Sequence, residues 1–338
     1  MRAGKQFPAT RWRRRMFSKR VKVAIGMPVY NGSAYLRQAL DSLLSQSYRD
    51  FQLIISDNGS TDGTAEICRE YARRDDRIRY VRQPSNLGAV PNFNWVFEAA
   101  NSEYFKWAAA DDVCAPTYLE KAVRQLDANP DAVWCHARSS HIDQEGALLD
   151  EPGSQDVSYA RRSDHTASAR FAAVLLDNNG CLDSYGLIRS EAIRKTPLYL
   201  PYYGPEKVFI AELALLGRYV EIPETLFFAR VTAGGSGAIA SAEDQQSFID
   251  TRKASGVRFL RLKFLNAYLN AIWRSAPGWP SRVACCFVLM RWVFQFSKWG
   301  SVFASFVRGS GLGGRNISRL KGRGRGEGGS PHEGVAQT

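Results

Sequence analysis

The run VKVAIGMPVYNGSAYLRQALDSLLSQSYRDFQLIISDNGSTD, residues 21–62, decides the fold class. Residues 21–30 are mostly apolar and read as a strand. Tyr35, Leu36, Ala39, Leu40, Leu43 and Leu44 then recur with a period near 3.6, the mark of one helix face. Phe51–Ile55 is a second apolar strand, so the run is a β-α-β unit. A polar cluster from Ser56 to Thr64 caps a helix reaching about Arg74, and a third strand follows near residues 78–82. Strands that alternate with helices predict a mostly parallel sheet covered by helices on both faces, an α/β fold.

Outward from that unit, the residues just after each strand are where chemistry belongs, because open α/β sheets bind ligands at the carboxyl ends of their strands. Three such clusters occur: Pro28-Val-Tyr-Asn31, Ser56 to Asp62, and Ala109-Ala-Asp-Asp112. The third follows a predicted central strand, Tyr104–Ala108, and leads through Pro116 into a helix carrying Tyr118, Leu119, Ala122, Val123 and Leu126. Pro205 to Leu216 reads as a helix with Pro in its first turn and Gly217 beyond its end. Two strands, 219–222 and 225–231, close the body. Beyond a Gly-rich break at 234–237 come two helical stretches, about 245–273 and 282–308, separated by Pro277-Gly-Trp-Pro280.

The chain has 338 residues and a net charge of +12, unevenly placed. Residues 1–20 and 309–338 supply +11 and residues 251–308, with ten Lys/Arg and no acid, another +10, which leaves −9 on residues 21–250. The predicted organisation is a basic disordered tail (1–20), a catalytic domain (21–240), a basic helical extension (241–308) and a Gly/Arg-rich disordered tail (309–338). Six cysteines without metal-ligand spacing, and no apolar signal run after the basic N-terminus, point to a cytoplasmic protein with reduced thiols. No G-x-G-x-x-G follows the first two strands and no P-loop occurs, which disfavours dehydrogenase and P-loop chemistry.

Asp111 and Asp112 repel each other at the end of a buried strand unless a cation or hydrogen-bond donors compensate. One reading is a hard divalent ion completed by a ligand's phosphates; the other is an Asp-Asp helix cap. The Asn58 amide offers donor and acceptor for the edge of a base, while its neighbours also form a turn and cap. Glu206 is either a general base or a first-turn acid that complements its helix dipole. His136 and His141 read as surface or loop residues, and Arg189 and Arg218 as ordinary salt-bridge partners.

In combination, P-V-Y-N, S-D-N-G-S-T-D-G-T, Asn86-Leu-Gly88 with Asn94, and A-D-D with Pro116 resemble family two of the inverting glycosyltransferases over about residues 21–235. The resemblance implies a nucleotide-diphospho-sugar transferase fold, a single Rossmann-like α/β domain around a mixed, mostly parallel central sheet. It places Pro28, Tyr30, Asn31, Asp57 and Asn58 around a nucleoside, with Gly88 and Asn94 shaping the site and Asp111 beside it. Asp112 is the implied ligand of Mn²⁺ or Mg²⁺, and Glu206 the implied catalytic base. Three departures stand out: Asn58 where many members have a second Asp, Glu206 where Asp is commoner, and Arg230-Val-Thr232 where relatives often carry a His. The implied partners are a nucleotide-diphospho-sugar donor and a glycan or lipid-linked saccharide acceptor. The alternative reading is a non-catalytic scaffold that retains the fold and binds sugar nucleotides or glycans.

Residues 282–308 are strongly apolar, yet Arg291, Gln295, Lys298, Ser301, Ser305 and Arg308 form one polar stripe. A spanning helix would bury Arg291 and Lys298 at about 2.5–3.5 kcal/mol each. The expected arrangement is an interfacial helix, with Trp292 and Trp299 inserted and residues 251–308 docked on the anionic inner face of the cell membrane. Packing against the body or against a second subunit is the other reading of this segment. The basic tails accompany no recognition fold, so no specific nucleic-acid partner is expected.

Overall fold

In the computed structural model, residues 20–149, 162–177, 181–202, 204–232 and 260–295 are described. They lie in one compact unit, Met1–Gln295. Chain order runs β1 (Val21–Val29), α1 (Leu36–Leu44), β2 (Phe51–Asp57), α2 (Thr64–Arg74), β3 (Ile78–Arg82), α3 (Ala89–Ala99) and β4 (Ser102–Trp107). Then come β5 (Val113–Cys114), α4 (Tyr118–Ala128), β6 (Ala132–Ile142), α5 (Ala167–Leu176), a 3₁₀ turn (Leu182–Tyr185), β7 (Leu187–Arg189) and α6 (Ser190–Arg194). The last elements are α7 (Pro205–Leu216), β8 (Arg218–Arg230), α8 (Leu260–Ser275) and α9 (Gly278–Val293).

The eight strands form one sheet ordered β3-β2-β1-β4-β7-β6-β8-β5. β1, β2, β3 and β4 pair in parallel, as do β6 and β8, while β7 and β5 run against their neighbours. The expected mixed, mostly parallel sheet is therefore the one observed. Strand order reverses at β1, between β2 and β4, and the carboxyl ends of these three strands flank the crevice where such sheets bind ligands.

Both faces of the sheet are buried, as the near-continuous apolar runs of β1 and β2 require. On one face Ile25, Leu53 and Leu187 pack with α1, α2 and α4. On the other, Ile54, Phe105 and Trp107 pack with α3 and α7. Gly26 makes that second layer possible, because a Cβ there would lie 2.5 Å from the Phe105 ring and 2.7 Å from Val96.

The structure revises two local expectations. Residues 218–230 form one long strand whose pairing with β6 shifts register after Ala137, so two strands become one bent one. Gly278-Trp-Pro280 lies inside the first turn of α9, where the N–H that proline lacks has no intrahelical acceptor anyway.

Helices α8 and α9 pack against α7 and α5 around Ala267, Tyr268, Ile272, Leu289 and Trp292. Glu212 of α7, wholly buried, accepts from Arg274 Nε at 2.6 Å and Ser275 Oγ at 2.7 Å, which fastens α8 to the body. Trp292, expected in a membrane, is instead buried with its ring 5.4 Å from that of Tyr268 and under the Arg261 guanidinium. Trp299, Lys298 and the remainder of the expected polar stripe lie outside the described residues, as do residues 1–19 and 309–338. Among the described residues, no helix is long and apolar enough to cross a membrane. All six cysteines are unbridged.

Candidate active site

Two polar turns, one after β2 and one after β4, border the crevice, and they are built differently. Asp57 ends β2 with no exposed surface. Its Oδ1 accepts from the Ser60 N–H at 2.8 Å, and its Oδ2 accepts from the Tyr80 hydroxyl at 3.0 Å. Asn58 is equally enclosed. Its amide donates to Asn86 Oδ1 (2.9 Å) and to the Gly88 carbonyl (3.1 Å), and its Oδ1 accepts from the Leu87 N–H (2.9 Å). The side chain expected to meet a base edge is thus engaged by the 86–88 loop. Gly88 stands at φ +89° as it enters α3, a conformation that strains any residue with a Cβ. Asn94 holds both backbone groups of Tyr199, accepting from its N–H at 3.1 Å and donating to its carbonyl at 3.0 Å.

Pro28 is buried within β1, paired with Ser56, and the chain then turns outward. Tyr30 is exposed, and Asn31 takes a left-handed φ of +49°. That turn is tied to the β2 turn through the Asn31 N–H to Ser60 Oγ (3.0 Å) and Asn31 Oδ1 to the Thr61 N–H (2.9 Å). The two predicted clusters therefore form one rim, with Tyr30 presented outward.

Asp111 and Asp112 follow β4 with far less support. Asp112 Oδ1 accepts from the Arg230 backbone N–H at 3.0 Å, Asp111 is supported by its own backbone N–H, and no side-chain donor to either carboxylate occurs among the described residues. Burial pushes both carboxyl groups above the usual carboxylate range, and for Asp112 the Asp111 charge adds to the rise against the opposing pull of Arg230 and Lys106. Two adjacent, desolvated and under-compensated carboxylates at a strand end suit a hard cation, which needs only one or two of them when phosphates complete its shell. Among the described residues, no group of three or more His, Cys, Asp or Glu converges as an all-protein site.

Arg230 fixes this loop. Its Nε donates to the Asp111 carbonyl (3.0 Å), its Nη1 to the carbonyls of Asp143 (2.7 Å) and Gln144 (2.9 Å), and its Nη2 to Gln38 Oε1 (2.6 Å). The guanidinium also lies 4.7 Å from the Tyr35 ring centre. Lys106 in β4 is fully buried; its Nζ donates to the Tyr185 carbonyl and sits over the Tyr118 and Phe227 rings. His136, expected at the surface, has no exposed area and joins the same layer through the Tyr118 hydroxyl at 2.7 Å. Burial holds this imidazole well below its usual pKa. Arg189 caps α4, donating to the carbonyls of Leu126 (2.7 Å) and Ala132 (2.7 Å), whereas Arg218 pairs with Asp131 as expected.

Glu206 enters α7 just after Gly204 at φ +73° and Pro205 at the first helical position. Burial raises its pKa, only partly opposed by its own backbone N–H and by Lys207. No side-chain donor among the described residues neutralises it, in contrast to Glu212 two turns on. The Tyr185 phenol registers both carboxylate groups: burial, then the charge of Asp112, and further Asp111 and Glu206, hold its pKa well above normal. Neither Tyr185 nor Lys106 is among the residues expected from sequence; the charge that interrupts the run Tyr104–Ala108 is the signal that marks Lys106.

The Glycosyl transferase family 2 model matches residues 24–195, just over half of the chain. The chain belongs to glycosyl transferase family 2. Over 124 residues it is 36% identical to an uncharacterized glycosyltransferase of Haemophilus influenzae, which covers 37% of this chain and 49% of that protein. Over 105 residues it is 32% identical to the glycosyltransferase GlyA of Streptococcus pneumoniae, covering 31% of this chain and 15% of that protein. This family 2 chain therefore aligns with half or less of the length of these relatives. The fold matches S. aureus TarS 1–349, solved in complex with UDP, at a TM-score of 0.56 and 14% identity, covering 88% of this chain and 76% of that one. It also matches the mannosyltransferase PcManGT of Pyrobaculum calidifontis, solved with GDP-Man and Mn²⁺, at 0.50 and 15% identity, with 87% of each chain covered.

Proposed function

We propose that this family 2 protein transfers one sugar from a nucleotide-diphospho-sugar to a hydroxyl of a glycan or lipid-linked saccharide, with inversion at the anomeric carbon. The observation that carries the reading is the contrast in compensation. Around the crevice Asp57 is matched by protein donors, while Asp111, Asp112 and Glu206 are not. The nucleoside would lie along the rim of Pro28, Tyr30 and Asn31. Asp57, Asn58, Gly88 and Asn94 would shape its floor through the turns they hold.

Asp112, with Asp111 beside it, would hold Mn²⁺ or Mg²⁺, which supplies positive charge for the diphosphate leaving group. Arg230 keeps the two carboxylates oriented. A Glu206 carboxylate oxygen would accept the proton of the acceptor hydroxyl, and its raised pKa makes it a stronger base than a solvated glutamate. The mixed sheet bound to α7 keeps Glu206 and the carboxylate pair on rigid elements. The acceptor would be met at the inner face of the cell membrane, to which residues 251–308 attach the protein. PcManGT, solved with GDP-Man and Mn²⁺, and TarS, solved with UDP, support a nucleotide-diphospho-sugar donor and a divalent ion.

Isothermal titration against a panel of nucleoside diphosphates, with Mn²⁺ and with chelator, tests this. Metal-dependent binding of one nucleotide that disappears in Asp112→Ala is the expected result. Absence of nucleotide binding under both conditions removes the proposal.

A further inference from the structure

Helix α9 carries two apolar faces. Cys285, Leu289 and Trp292 lie on one and are buried against α5 and α8. Trp279, Val283, Phe287, Met290 and Phe294, spaced 4, 4, 3 and 4 residues apart, share a second stripe on the opposite side. That stripe is open to solvent: Trp279 is 64% exposed, Phe287 60% and Phe294 61%. Trp273 at the end of α8 extends it, its ring 5.6 Å from that of Trp279, and these side chains wall an open recess of about 200 Å³. Contiguous apolar surface of this kind marks an interaction site.

Charge selects the occupant. Arg282 and Arg291 flank the stripe on its two sides, Arg282 lying 5.6 Å from the centre of the Trp273 ring, and no Asp or Glu occurs anywhere in residues 251–308. An apolar strip bordered by cations is the geometry of a helix lying in a lipid interface, with aromatic rings among the acyl chains and guanidinium groups at the phosphates. A symmetric pairing with a second copy would set these arginines against themselves with no acid nearby.

We infer that the Trp273–Trp279–Phe287–Phe294 face docks on an anionic bilayer, and that this face, not the one bearing Trp292, is the membrane contact. The inference rests on the reading that the protein works at a membrane, and it fixes which surface meets the lipid. Both Trp292 and the polar stripe through Arg291 and Gln295 give a different orientation from sequence alone. The structure reverses it because α5 and α8 already occupy the Trp292 side.

Cosedimentation of the 338-residue chain with phosphatidylcholine vesicles, with and without phosphatidylglycerol, is the test. The wild type is expected to sediment only with the anionic vesicles. Trp279→Ser/Phe287→Ser is expected to weaken that binding at least about tenfold. Arg282→Gln/Arg291→Gln should weaken it about twenty-five-fold, at about fivefold per arginine. Both changes leave the basic tails intact; Trp279, Phe287 and Arg291 are exposed and Arg282 is half-buried, and an unchanged circular-dichroism melt checks that the fold persists. Wild-type binding that the Trp279/Phe287 variant retains in full overturns the assigned face but leaves the membrane reading standing. Failure of the wild type to bind either vesicle overturns both. A concentration-dependent dimer that the same variant abolishes, without vesicle binding, assigns the face to a second copy and overturns the proposal.

Discussion

The turns after β2 and β4 look alike in sequence, each an Asp beside another polar residue at the carboxyl end of a buried strand. In the folded protein they are electrostatic opposites. Asp57 has a donor for each oxygen and lies sealed beneath its turn. Asp112 has the Arg230 backbone N–H and Asp111 its own, with only the charges of Lys106 and Arg230 to offset their burial. Helix α7 repeats the contrast over six residues: Glu212 is matched by Arg274 and Ser275, and Glu206 by no side chain among the described residues. A carboxylate the protein satisfies is architecture. One it desolvates and leaves short of positive charge is held ready for a ligand, a proton or a cation.

The sharpest way to break this comparison is Glu206→Gln. The expected loss in kcat is about 10²–10⁴-fold, the range for a positioned general base. Nucleotide affinity by calorimetry should be unchanged. Because the Glu206 pKa is raised, wild-type kcat should climb with pH through a value above the ordinary carboxylate range, and that limb should vanish in the variant. Glu212→Gln is the counterpart, expected to lower stability by about 1–3 kcal/mol in urea unfolding without altering the pH profile.

Asp57→Ala removes the acceptor of two hydrogen bonds in a sealed position and should cost about 2–4 kcal/mol in the same unfolding experiment. Asp112→Asn should do the reverse. A carboxyl whose folded pKa is raised contributes stability below the ordinary carboxylate range and loses it as pH rises through the raised value. At neutral pH the ionised pair is therefore a penalty. Relieving it should stabilise the metal-free protein by about 1 kcal/mol, while Mn²⁺ plus nucleotide should raise the melting temperature of the wild type only. The gain should disappear at acidic pH; destabilisation at neutral pH would show that the pair is compensated after all.

The smallest expected effect is that of Asn94→Ala. It should lower stability by about 1 kcal/mol through the Tyr199 backbone it holds, and change nucleotide affinity by less than about twofold. A larger change in affinity would mean that the amide meets the ligand directly.

Much of the scaffold was legible because its signals are local. Period 3.6 in residues 35–44, apolar runs at 21–29 and 51–57, and Pro205 with Gly217 bracketing a helix each depend on neighbours in the chain. So do the polar clusters at the strand ends, and with them the positions of Asp57, Asp111 and Asp112, while Glu206 belongs to the first turn of its helix. Compensation is not local. The donor to Asp112 lies 118 residues away at Arg230, the partner of Asn94 lies 105 residues away at Tyr199, and His136 is buried by Lys106, Tyr118 and Phe227 from separate elements.

Sequence by itself determined the mixed α/β sheet, the crevice at the ends of β1, β2 and β4, and the residue types lining it. Only tertiary structure decided which carboxylates stay uncompensated and which of the two apolar faces of α9 is covered. Hydrophobic period registers that a face is apolar, but its burial depends on what long-range packing brings against it, here α5 and α8 on the Trp292 side and solvent on the side of Trp279 and Phe287.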